Sequence, residues 1–237
     1  MNQKRENFLN HVAKSLGRKR DHGERVAHPN YLHDVVHTTL SGKTQDELLE
    51  IAKASCKKIH TDLVETTLES LTGTLQKISA TFGNESILIA DDTRFEEYGL
   101  SGLRNGEWPD VDVAVWKKGS ENRTVNIDTA SKANIAIAFA EFLLAESGSV
   151  VVESSPEQGR SLHFLPVHYI AVIPKSKIVP RSTQAAEYYD QKEASGETVG
   201  SSINFISGPS NSGDIEMQLV VGVHGPIEVT YVVVTDK

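Results

Sequence analysis

The chain has 237 residues, of which 38% are hydrophobic and 24% charged, with a formal net charge of −8. This suits one sizeable globular core, and no apolar run reaches the roughly 20 residues of a membrane helix. The single cysteine, Cys56, excludes an internal disulfide and a four-thiolate iron–sulfur site built by this chain alone.

Charge is uneven along the chain. Residues 1–30 hold seven Lys/Arg against three acids, and the remainder holds 17 against 29. An acidic body repels nucleic acid, so no nucleic-acid role is expected. The N-terminus lacks the uninterrupted apolar region of a secretory signal, and a cytoplasmic protein is expected. Residues 6–17 predict a short helix with Phe8, Leu9, Val12 and Leu16 on one face and Gly17 at its end. Residues 1–30 read as a basic arm, either docked on its own domain or serving as a handle for a partner. Residues 31–237 read as a single domain.

Two long helices are predicted over about 44–83. Thr44 with Glu47 forms a capping-box pattern, and Asp62 with Glu65 an acidic version. Val64, Leu68, Leu71, Leu75, Ile78 and Phe82 give the second helix an apolar stripe, with Gly83 as its stop. Cys56 falls on the apolar stripe of the first. From residue 86 strands and helices alternate. SILIA (86–90), VDVAVW (111–116), ANIAIA (133–138), SVVVE (149–153), HYIAVI (168–173), INFI (203–206) and VTYVVV (229–234) read as strands. Helices are predicted over 93–100 and near 183–194. β-Branched runs separated by helices and glycine turns predict an α/β fold with a mainly parallel sheet covered on both faces.

The densest cluster of special residues is SGPSNSGDIEMQLVVGVHGP (207–226), where glycines and prolines alternate with polar side chains. SGPS, DIE and GVHGP, with AESGSVVVES (145–154) and GRSLHFLPVHYIAVI (159–173) upstream, resemble the signature of the LUD-domain family in its lactate-utilization branch. The likeness runs over residues 44–235. It implies a Rossmann-like sheet similar to the sugar-isomerase, CoA-transferase and 5-formyltetrahydrofolate cyclo-ligase group, with a site at its strand ends. It further implies a component of a system that oxidises L-lactate to pyruvate, in which partner proteins carry the iron–sulfur clusters and this chain carries none. A stand-alone enzyme of cyclo-ligase or CoA-transferase type and a non-catalytic adaptor are the alternatives.

Ligand-binding candidates follow from the residues of these motifs. Ser210, Asn211 or Ser212 would cap a short helical turn whose amides attract a small organic anion, with Ser207 and Gly208 as further ligand-binding candidates beside it. Many family members have Lys or Arg where Asn211 stands, so neutral donors would do this work here. Asp214 and Glu216 would bind hydroxyls or act as a base, or simply stabilise the helix start. His224, followed by Gly225, would transfer a proton or lock its turn. Asp214 and His224 are the catalytic candidates. Glu146, Ser147, Gly148 and Ser149 would let a ligand lie against the backbone, and Arg160 would hold a carboxylate. Glu153 sits at a strand's end, where CoA-transferase-like enzymes carry a nucleophilic glutamate after a strand, but the local text is only loosely similar and a solvated or hydrogen-bonding carboxylate is the favoured reading. His163, His168 and His224 do not define a tetrahedral ligand set, and no metal site is expected. The motif loops are expected to converge in one crevice beyond the carboxyl ends of the strands.

Overall fold

The computed structural model describes residues 3–20, 32–215 and 217–237, without the side chains of residues 214 and 215. Glu216, the side chain of Asp214 and residues 21–30 of the basic arm therefore lie outside the described residues. The chain divides into two compact units, residues 1–34 and 35–237. In the first, the helix Gln3–Ser15 carries Glu6, whose carboxylate accepts from Arg20 Nη1 at 2.6 Å.

In the second unit, the helix Gln45–Lys58 starts at the predicted box. Glu47 N donates to Thr44 Oγ1 at 3.3 Å, and Thr44 N donates to the Glu47 carboxylate at 2.9 Å. Leu48, Leu49, Ala52 and Cys56 form its buried face. The strands in chain order are β1 (Asp62–Thr66), β2 (Ser86–Ile89), β3 (Asp112–Val115), β4 (Ile135–Phe139), β5 (Phe142–Leu144), β6 (Ser149–Glu153), β7 (His168–Pro174), β8 (Ile178–Val179), β9 (Ile203–Ile206), β10 (Asn211–Ile215), β11 (Gln218–Val221) and β12 (Glu228–Val234).

Six of them form a wholly parallel sheet in the order β1-β12-β7-β4-β2-β3. Every residue of β4 and β7 is buried, which explains their unbroken apolar runs: helices cover both faces. Each fully buried Ile, Leu or Val there contributes roughly 1.5–3 kcal/mol. β8-β5-β6-β9 form a second, mixed sheet, and β10-β11 a separate hairpin.

Several expectations change. The predicted second helix begins only at Leu71 and ends at Thr81; Asp62–Thr66 is an edge strand paired with β12. Its backbone groups bond across the sheet, and that long-range pairing overrides a helical spacing that happened to extend upstream. Leu71 and Leu75 are fully buried, so the stripe itself is real. The helix expected over 93–100 is only the short helix Arg94–Glu97, and a second short helix, Ser101–Arg104, follows beyond that span. SVVVE and INFI belong to the second sheet. β5 and β6 are joined by only four residues, too few for a parallel crossover, so they pair antiparallel. Residues 211–215 form strand β10, so the helical turn expected at Ser210–Ser212 is absent, and with it the anion site built on helix amides.

Candidate functional site

The signature residues form two hydrogen-bonded groups. In the first, the tight turn between β5 and β6 presses against the helix Gln45–Lys58. Gly148 permits this contact, since an added Cβ would lie 2.9 Å from Cys56 N. Ser55 Oγ donates to Glu146 O at 3.1 Å. Ser147 Oγ bonds Ser149 Oγ at 2.8 Å, and Ser149 Oγ bonds Ser207 Oγ at 2.6 Å, tying β6 to the end of β9. The Glu146 carboxylate is 3.0 Å from Arg181 Nε, an ion pair that occupies it. Gly208 has φ +71° and sits against Ile59 O.

In the second group, Ser210 holds the GVHGP turn. Ser210 N donates to Pro226 O and Gly222 N to Ser210 O, both at 2.8 Å, while His224 N donates to Ser210 Oγ at 3.1 Å. Gly225 packs on the same serine: a Cβ there would lie 3.2 Å from Ser210 Cβ. Asn211 Nδ2 donates to Pro209 O at 3.3 Å. Ser212 lies on β10, paired with Val220. The His224 turn leads into β12, and Ile227 N donates to Val167 O just before β7. It therefore stands at the amino ends of these strands, not beyond their carboxyl ends as expected. The second half of the signature precedes a strand, β12, and so cannot lie at that strand's carboxyl end.

Arg160 and His224, distant in sequence, line one cavity of about 550 Å³ with Trp116, Arg123, Ile127 and Phe164. Among the described residues, no carboxylate lines it. The Arg160 guanidinium lies 5.1 Å from the centre of the Phe164 ring. Among the described residues neither Arg123 nor Arg160 is ion-paired, whereas Arg94, Arg104 and Arg181 each hold a carboxylate. The wall exists because residue 159 is glycine; a Cβ there would stand 2.3 Å from the Trp116 ring. Two guanidiniums with no ion pair among the described residues, and an exposed imidazole, stand over apolar walls and suit a small organic anion.

The other histidines serve the fold. His163 is fully buried, with Nδ1 at 2.9 Å from Tyr169 Oη, and burial lowers its ring to about 3. His168 stacks on Phe82 at 4.2 Å, and burial lowers its ring despite the Glu228 carboxylate nearby. Among the described residues no group of three His, Cys, Asp or Glu is placed to hold a metal. Burial pushes the Cys56 thiol up to about 12, which opposes the thiolate form that metals require. No described helix is long and apolar enough to cross a membrane.

The carboxyl-end crevice does exist, with other residues. A cavity of about 1080 Å³ lies where β2 gives way to Asp91 and Asp92, β4 to Glu141, and β6 to its terminal Glu153. Arg94 Nη2 bridges Asp92 at 2.7 Å and Glu141 at 2.9 Å. Lys118 lies 3.3 Å from both Asp91 and Glu157, and Arg104 also pairs with Asp91. Burial opposes ionisation of Asp91, yet Arg104 and Lys118 hold its carboxyl below the ordinary value. Glu153 accepts from Lys192 at 2.8 Å and from Gly200 N at 2.6 Å. Sequence reasoning reached only Glu153 here. The available signal was position: Asp91 and Glu141 are the first charged residues after the apolar runs of β2 and β4.

The family profile described as LUD domain matches residues 37–234. The "Lactate utilization protein C" of Geobacillus thermodenitrificans (strain NG80-2) is 50% identical over 236 residues, covering 99% of this chain and 98% of that protein. The protein of the same name from Bacillus subtilis (strain 168) is 47% identical over 235 residues, covering 99% and 98%. A solved structure of a DUF162 family protein from Deinococcus radiodurans aligns with a TM-score of 0.53 at 14% identity, covering 81% of this chain and 99% of that one, a likeness of fold. With the domain match spanning both sheets and the signature turns, the chain belongs to the LUD domain family.

Proposed function

We propose that this protein takes part in L-lactate utilization as the cluster-free component of a system that oxidises L-lactate to pyruvate. The observation that carries this reading is its 50% identity, along nearly all of both chains, to a protein named for lactate utilization. Oxidation of L-lactate to pyruvate releases two electrons and two protons. With one buried, poorly acidic thiol, this chain offers no thiolate set for a cluster, so iron–sulfur partner proteins take the electrons in this reading.

The role assigned to the chain itself is to bind a small organic anion in the Arg123–Arg160–His224 cavity. A guanidinium holds a carboxylate through paired N–H donors, and an imidazole exchanges protons near neutral pH. Asp214, on the adjoining hairpin, is the further catalytic candidate. Ser147, Ser149 and Ser207 then act as the brace that fixes the signature loop.

Deletion of the gene should impair growth on L-lactate and spare growth on pyruvate. Complementation with Arg160→Ala, His224→Ala or Asp214→Asn should fail on L-lactate while the variants stay soluble with parental melting. Equal growth of the deletion strain and its parent on L-lactate, with no duplicate system present, would overturn the lactate assignment. Growth restored by all three variants would overturn the site.

A further inference from the structure

We propose that the cleft at the carboxyl ends of β2 and β4 is a separate binding site for a nucleoside phosphate. Three observations on different levels meet there.

The first is topology. From β3 across to β12 the parallel sheet reads β3-β2-β4-β7-β12. The chain leaves β2 for β3 on one side, then crosses to β4 on the other. The direction of winding reverses between β2 and β4, and doubly wound sheets leave a ligand crevice at that switch point. Asp91 and Glu141 follow those two strands and line this cleft.

The second is size. At about 1080 Å³ the cleft is twice the Arg160–His224 cavity. It matches ligands of cofactor size rather than a three-carbon acid.

The third is charge. Each carboxylate lining the cleft already faces a cation: Asp91 and Glu157 face Lys118, Asp92 and Glu141 face Arg94, and Glu153 faces Lys192. Lys177 is the exception. Its ammonium lies 5.6 Å from the Phe142 ring centre and 5.8 Å from that of Tyr188, with no carboxylate partner among the described residues. The ligand therefore brings an anionic group to Lys177. The paired carboxylates keep free lone pairs, which accept from hydroxyl or amino donors. A bare anion would engage Lys177 alone and leave those acceptors unused. A molecule with a phosphate at one end and ribose hydroxyls and an exocyclic amine at the other satisfies both halves.

Calorimetric titration of the full chain with AMP, GMP, adenosine and inorganic phosphate tests this at low ionic strength. AMP or GMP should bind with a Kd below about 1 mM, and inorganic phosphate alone should not. Lys177→Ala should weaken nucleotide binding about tenfold or more, the loss of one charge-assisted contact, and leave adenosine unaffected; Lys177→Arg should retain most of it. Thr198→Trp, an exposed position in the cleft wall, should block nucleotide and nucleoside alike. Arg160→Ala should change neither. The proposal is overturned if neither nucleotide binds, if phosphate binds as well as AMP, if Lys177→Ala leaves AMP affinity unchanged, or if Arg160→Ala weakens it. These outcomes are independent of growth on L-lactate, so the two readings fail separately.

Discussion

Replacing Gly208 by alanine should cost about 2–5 kcal/mol of folding stability. Its φ is +71°, and an added Cβ would stand 2.2 Å from Ile59 O and 3.1 Å from Thr61 Oγ1. The left-handed backbone costs an L-residue roughly 1–2 kcal/mol. Forcing a methyl against a carbonyl of the chain adds roughly 1–3 kcal/mol. Two other glycines separate these contributions. Gly196 has φ +82° and no atom within 4 Å of an added Cβ, so Gly196→Ala should cost only the backbone share, roughly 1–2 kcal/mol. Gly213, in the same signature, has neither a positive φ nor a close neighbour, and Gly213→Ala should be neutral or stabilising by up to about 1 kcal/mol. Urea unfolding followed by the fluorescence of Trp108 and Trp116, both buried, reads the series at constant m. Gly208→Ala matching Gly196→Ala within about 0.5 kcal/mol would refute the argument. The Ile59 carbonyl would then yield freely, and the glycine of SGPS would not be required by packing.

Three further outcomes are expected. His163 has a ring lowered by burial from 6.5 to about 3, so the unfolded chain takes up this proton first. Its contribution is full above pH 6.5 and declines toward pH 3, by about 2 kcal/mol at pH 5; urea melts of His163→Gln should lose that part of the acid slope, and an unchanged slope would assign it to other groups. The Cys56 thiol, raised to about 12 from 9.0, should react with iodoacetamide at pH 8 on the order of a thousandfold more slowly than an ordinary thiol, and rapid labelling of the native protein would show that the helix Gln45–Lys58 opens readily. Removing residues 1–34, a compact unit by contacts, should leave the melting transition nearly unchanged and lower recovery of partner proteins in pull-downs; a loss of many degrees would make the arm part of the core.

Local signals sufficed wherever the deciding interaction is local. The Thr44–Glu47 box starts its helix as written, because both partners lie within one turn. The runs of β4, β7 and β12 announce a sheet buried on both faces, since only helical cover on each side allows such unbroken apolar strands. The ordered SGPS and GVHGP motifs identified the family for the same reason: they are contiguous text. Partner choice is not local. Asp62–Thr66 carries a helical spacing, yet becomes a strand because β12, more than 160 residues later, offers its edge. The signature segment folds as a hairpin, and its serines bond Ser149 on one side and the His224 turn on the other, contacts that no spacing encodes. The two clefts are the extreme case. Arg123, Arg160 and His224 meet on one cavity, and Asp91, Glu141 and Lys177 on another. These charges reach each other through crossovers of the parallel sheet, whose strand order is settled by packing both of its faces at once.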